Sequence, residues 1–392
     1  MAAPTPPQLR TDRVASTMDR AAERIGAGLT WAVLSVSPDS PDAEPAATLG
    51  AAGGLSADAI VRIASVTKPI VAAATLSLVE SGELRLEDPI SRYVPTWADR
   101  QVLRVRHGRL DDTVPASREV TVRDLLSMGF GLGYDMNAPE DDALTRAADE
   151  AGVMSDWQPP AMTPQQWVEA TAALPMAHQP GQGWLYQSSY DALAVVIEAA
   201  TGRDLDVLVT ERILAPLGMH DTGWTVKAAD LCRVPAHGFP DERGTVTEAC
   251  PEHDPALLHP PSFVSASTGL VSTVADLLRF AGMLMNEGVA HGVLPASGPV
   301  RVLSAESVRL LTTDTTTAAT RTMGNGMLPP DHGWGMGVAI DAAGRYGWDG
   351  GTGASLWVDP QDRVAAALLA TAGMGGPDEP AYLTEFWRAV RG

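Results

Sequence analysis

Apolar positions along the chain change period from segment to segment. Val14 to Ile25 carries them at helical spacing, with Asp19, Arg20, Glu23 and Arg24 turned outward, and predicts an amphipathic helix. Leu29 to Ser37 (LTWAVLSVS) is strand-like, and Pro38-Asp39-Ser40-Pro41-Asp42 ends it. From Pro69 to Val79 there is no charge at all, which predicts a helix buried on nearly every side. Pro69 is compatible with the first turn of such a helix, where few amides enter the ladder, and Gly82 supplies the stop.

The pattern changes near Asp99. Up to about Pro261 the chain shows short helical patterns, Pro-rich connections and acidic loops such as Glu140-Asp141-Asp142. Tyr190 to Thr201 (YDALAVVIEAAT) predicts an amphipathic helix closed by Gly202. A helix over Val274 to Asn286 follows, then strand patterns near 335–340, 343–348, 353–359 and 363–371 at the spacing of an antiparallel meander. Asp378 to Val390 predicts a closing helix, and no repeat of fixed period is present. The expected fold is α+β, an antiparallel sheet flanked by helices and built from both ends of the chain, with a mainly helical domain inserted. The expected divisions are a disordered start over 1–13, a sheet lobe over 14–98 and 265–392, and a helical lobe over 99–264.

Composition removes several functions. The chain has 392 residues, 48 acidic and 28 basic, for a net charge of −20. A surface so acidic opposes binding to nucleic acid phosphates or to an anionic membrane. No apolar run approaches the length of a membrane-spanning helix, and the Pro-rich start has no apolar core of a signal peptide. A soluble, cytoplasmic location is therefore expected. Cys232 and Cys250 are the only cysteines, too few for a disulfide framework, and two reduced thiols are expected.

The sharpest chemical signal is Ser65-Val66-Thr67-Lys68 at the mouth of the uncharged helix. A spacing of three puts Ser65 and Lys68 on one helical face. A serine hydroxyl becomes a nucleophile when a neighbouring base takes its proton, and a desolvated lysine has the lowered proton affinity that this role needs. Of the 28 basic residues only Lys68 and Lys227 are lysines. Arginine does not give up its proton and has no such use at position 68.

On these residues the sequence resembles the serine β-lactamase and penicillin-binding-protein superfamily, and within it the class C-like branch that includes family VIII carboxylesterases. The first motif of that family, S-x-x-K, is matched by Ser65 to Lys68. The second, Tyr-x-Asn within P-G-x-x-W-x-Y-S-N, is matched by Pro180-Gly181, Trp184 and Tyr186, with Ser188 in place of the usual Asn. The third is Lys-Thr-Gly or His-x-Gly in most branches. Here it is Trp348-Asp349-Gly350-Gly351, and Trp-x-Gly is a variation associated with esterases. Gly269 to Thr273, Asp276 and Val122 to Leu126 support the likeness, which runs from Val14 to Arg391.

The resemblance implies a β-lactamase/DD-peptidase-like fold with the active site between its two lobes, and no cofactor or metal. Ser65 would form an acyl-enzyme, with Lys68 and Tyr186 sharing the proton work and the ammonium lowering the proton affinity of the phenol. The amides of Ser65 and Gly351 would form an oxyanion hole, with Gly350, Trp348 and Ser188 contacting substrate. An apolar Trp348 where other branches carry a cation favours uncharged acyl groups over anionic ones. The expected activity is cleavage of small carboxylic esters, with a small-molecule ester or amide as the partner. Hydrolysis of β-lactams, cleavage of D-amino-acid peptides and acyl transfer are alternatives on the same fold. A non-catalytic ligand-binding homologue is the alternative of another class, motivated by Ser188 and Trp348. The oligomeric state is left open. Cys250, His253 and His259 have metal-ligand chemistry, but their spacing fits a polar loop better than a zinc site. Gly129-Phe-Gly131-Leu-Gly133 lacks the spacing of a dinucleotide fingerprint.

Overall fold

The computed structural model describes residues 7–36, 45–241, 243–290, 299–376 and 379–392. Its centre is a seven-stranded antiparallel sheet. The strands are β1 (Leu29–Ser35), β2 (Ala46–Ala52), β3 (Gly333–Trp334), β4 (Ala339–Ile340), β5 (Tyr346–Gly350), β6 (Ala354–Asp359) and β7 (Val364–Ala370). They lie in the order β3-β4-β5-β6-β7-β1-β2, so the two ends of the chain meet where β7 pairs with β1, Leu29 opposite Ala370. This is the expected α+β sheet with a C-terminal meander.

Five helices place the site: α1 (Pro7–Ile25), α2 (Thr67–Glu80), α3 (Ser188–Thr201), α4 (Val274–Met285) and α5 (Ala381–Arg391). Helix α1 buries Val14, Met18, Ala21 and Ala22, and α5 buries Tyr382, Leu383, Phe386, Ala389 and Val390. Both sets recur at helical spacing and pack with Leu29, Trp31 and Val33 of β1 on one face of the sheet. Ala32 and Leu34, pointing the other way, join the core shared with α2 and α4. A strand covered on both faces explains why LTWAVL shows almost no polar alternation.

Helix α1 begins at Pro7, not at Val14, so residues 7–13 are helical and the expectation of a disordered start over them is corrected. Residues 1–6 lie outside the described residues, as do residues 37–44, where the break after the first strand was expected. Pro7 suits this start, because at the first turn its missing N–H has no ladder partner to lose. Residues 99–264 carry helices Val122–Leu126, Ala143–Glu150, Pro164–Ala172, α3 and Leu205–Val209 and, among the described residues, no strand of the central sheet. Two ribbons that the sequence did not suggest, Gln101–Leu103 with Thr113–Pro115 and His237–Pro240 with Val246–Cys250, also lie there. No helix among the described residues is long and apolar enough to cross a membrane.

Candidate active site

Ser65 sits in a single 3-10 turn, Ala64–Val66, that feeds directly into α2. Ala64 adopts φ of +40°, a left-handed conformation that costs a residue with a Cβ about 1–2 kcal/mol. Every residue from Thr67 to Leu78 is buried, as the absence of charge predicted. Lys68 is therefore carried into the core with no exposed surface. Burying an ammonium costs several kcal/mol unless its donors are met. Its Nζ donates to Ser65 Oγ at 3.0 Å, to Gln187 Oε1 at 2.7 Å and to the Ser267 carbonyl at 2.7 Å. Burial still pushes its proton affinity well below that of an ordinary lysine, and Asp191 pulls the other way.

Gln187 is the residue that sequence reasoning missed. It precedes α3 with φ of +90°, a conformation that L side chains rarely adopt. Its Nε2 donates to the Asp156 carbonyl at 2.9 Å, so Oε1 is the atom left for Lys68. Ser188, the residue aligned with the usual Asn, turns away: its hydroxyl meets Met154 Sδ at 3.6 Å and it does not line the cavity. Ser188, expected to contact substrate, is thus placed away from the cavity that Ser65 lines. The backbone turn at Gln187 brings that side chain to the lysine and sends the next one into the core.

Tyr186 is buried, with its hydroxyl accepting from Trp348 Nε1 at 2.6 Å. Trp184 stacks on its ring at 5.8 Å, and Lys68 Nζ lies 4.4 Å from the ring centroid. Burial raises the proton affinity of the phenol, and hydrogen bonds with Ser65 and Trp348 only partly oppose this. The expected lowering by the ammonium is thus reversed, because desolvation outweighs it and the ammonium sits over the ring face.

Strand β5 brings the third motif against the nucleophile turn. A Cβ on Gly350 would lie 2.3 Å from the Ile63 carbonyl, so only glycine permits this approach two residues before Ser65. Thr352 Oγ1 donates to the Arg62 carbonyl at 2.7 Å and ties the same junction. Ser65, Tyr186, Gln187, Trp348 and Gly351 line one cavity of about 700 Å³, whereas Lys68 and Gly350 stand behind its wall. Trp157 and Phe239, 5.3 Å apart, form an opposite apolar wall.

Asp349 also reaches this cavity. Its Oδ1 accepts from Ser355 Oγ at 2.5 Å and Trp357 Nε1 at 3.0 Å, and burial pushes the carboxyl up from 3.8 to about 6. Among the described residues no group of three metal-ligating side chains converges, and Cys232 and Cys250 are unpaired, one exposed and one buried.

A serine one helical turn from a desolvated lysine, with a tyrosine on the far side, is the constellation of an acyl-transferring serine enzyme. The chain belongs to the beta-lactamase family, whose model matches residues 41–386. It is a serine hydrolase family of this fold that acts on small-molecule esters or amides. An uncharacterized protein of Mycobacterium tuberculosis is 38% identical over 262 residues, 66% of this chain and 60% of that protein. Esterase EstB of Burkholderia gladioli is 32% identical over 235 residues, 57% of this chain and 56% of the esterase. The chain thus spans less than two thirds of the length of these two relatives. Among solved structures, that of EstCE1, a hydrolase with promiscuous acyltransferase activity, superimposes with a TM-score of 0.76. It is 20% identical, with 98% of this chain and 99% of that chain covered, a likeness of fold.

Proposed function

We propose that this protein cleaves small carboxylic esters through an acyl-enzyme on Ser65, with the site lying between a sheet lobe (14–98 and 265–392) and a helical lobe (99–264). The observation that carries the reading is how Lys68 is held. Gln187 Oε1 and the Ser267 carbonyl are acceptors only, so they claim two N–H groups of the amine in either protonation state. The remaining position points at Ser65 Oγ. In the neutral amine that position is the lone pair.

The steps follow from this placement. Neutral Lys68 takes the proton of Ser65 as Oγ attacks the acyl carbon, and the carbonyl oxygen becomes an oxyanion facing the amides of Ser65 and Gly351. Such donors contribute about 3 kcal/mol each to the transition state. Tyr186, kept protonated by burial, passes its proton to the departing alkoxide and recovers one from the Lys68 ammonium. Water then repeats the sequence on the ester carbonyl and releases the acid. Trp348 supports uncharged acyl groups, since it offers an indole face where a cation anchors carboxylates in other branches. The name of EstB supports an ester as the scissile group. Turnover of p-nitrophenyl acetate and butyrate by wild type and Ser65→Ala tests the reading; equal rates overturn it.

Acyl transfer is the second reading. Ser65 opens on a cavity with an apolar wall of Trp157 and Phe239, a surface for an acceptor beside the acyl group, and the acyltransferase activity named for EstCE1 points the same way. An alcohol added during ester turnover yields a new ester if transfer occurs. Nitrocefin and D-alanyl peptides separate the remaining alternatives.

A further inference from the structure

Asp191 lies in the first turn of α3 with no exposed surface. A carboxylate buried so deeply needs donors on both oxygens. Ser155 Oγ donates to Oδ2 at 2.6 Å, and Ser265 and Ser267 donate to Oδ1 at 2.5 and 2.8 Å. These serines come from two segments far apart in the chain. One, around Ser155, presents the Asp156 carbonyl that orients Gln187. The other holds the Ser267 carbonyl that takes a Lys68 proton, in a turn shaped by Ser267 and Thr268 amides donating to Ser265 Oγ at 3.0 and 3.1 Å. One carboxylate thus ties together both supports of the lysine.

We propose that Asp191, gripped by Ser155, Ser265 and Ser267, is a positioning residue for Lys68: it fixes the two acceptors that aim the amine at Ser65 and serves as its buried counter-charge. This rests on the reading of Ser65 as nucleophile and Lys68 as its base.

The other titratable groups around the pair leave Asp191 as the counter-charge. Tyr186 faces Lys68 with its ring and Tyr190 adjoins on α3, both held protonated by burial. Tyr134, across the serine cluster, is pushed up to about 12 and donates to the Ser155 carbonyl at 3.1 Å. Asp156 faces the cavity and is exposed. Asp191 is the carboxylate whose charge acts on Lys68; burial pushes its own pKa up, and the three serine donors and Lys68 oppose that rise.

The sign of the effect is fixed. A negative charge beside the amine strengthens its hold on a proton. Asp191→Asn keeps the shape and removes that charge, so the lysine becomes a neutral base at lower pH. The rate of Ser65 labelling by a fluorophosphonate, followed by intact mass across pH, reads this without knowledge of the natural substrate. The acid limb of the wild-type profile is expected to move toward acid by about one unit or more in Asp191→Asn. Ser155→Ala, which removes the donor to Oδ2 and weakens the ionised carboxylate, is expected to move it the same way by less. A structural role alone would lower the rate equally at all pH values and leave the limb in place. That result in either folded variant overturns the inference. If wild-type Ser65 takes no adduct at any pH, it is the hydrolase reading that fails.

Discussion

Trp348 Nε1 donates to the hydroxyl of Tyr186 across 2.6 Å, joining the third motif to the second through one hydrogen bond. The donor is a neutral indole, held edge-on by Trp334 at 4.9 Å. The bond takes one acceptor position of the phenol oxygen, while burial keeps the phenol protonated against it.

Trp348→Phe keeps an aromatic ring, though a smaller one, and deletes the donor. A hydrogen bond of this kind contributes about 1 kcal/mol, so kcat/KM on p-nitrophenyl butyrate is expected to fall roughly 5- to 10-fold. Steady-state kinetics at pH 7 to 8 check this; an unchanged value removes the bond from the mechanism.

Gln187→Glu places a carboxylate against the Lys68 ammonium. The amine then holds its proton to higher pH, and the acid limb of kcat/KM is expected to move toward alkali by about one unit or more. The loss of rate is thus large at pH 7 and smaller at pH 9. A pH–rate profile reads it, and the shift is opposite in sign to that of Asp191→Asn.

Ser188→Ala removes only a weak contact with Met154. Its effect on kcat/KM is expected to stay within about 2-fold, in keeping with the small cost of substitutions away from critical contacts. A drop of 100-fold would return Ser188 to the substrate contacts.

Asp349→Asn is expected to stabilise the fold above pH 6. Because burial raises the folded-state value from 3.8 to about 6, the protein binds this proton more tightly folded than unfolded. Stability from the group is present at low pH and is lost as pH rises through about 6. Both hydrogen bonds to Asp349 fall on Oδ1, which asparagine retains. The gain is up to about 2 kcal/mol at pH 8 and near zero at pH 4, read as the difference in Tm between variant and wild type.

Much of this was legible in the residues. The uncharged run after Lys68 announced a buried helix, and the meander from 335 to 371 announced consecutive antiparallel strands. The start of α1 was missed because the apolar periodicity that marks the helix begins only at Val14, while the turns before it are polar. Asp191 left a signal that was not used: like Lys68, it is a lone charge in an otherwise apolar stretch, Tyr190 to Ile197. Gln187 left none, since its role depends on a backbone twist of φ +90° that nothing local in the sequence demands.

The sequence by itself determined the Ser65–Lys68 pair, because a separation of three on a helix is a matter of local geometry. It also determined that the lysine is buried, because helices without charge seek the core. Only the tertiary structure decided what the lysine touches. Gln187 and Ser267 lie 119 and 199 residues from it, and their arrival depends on how the serine-bound Asp191 draws separate segments together. The direction of the Tyr186 shift was decided there too, since desolvation is a property of the packed interior and outweighs a nearby charge that the motif alone suggests.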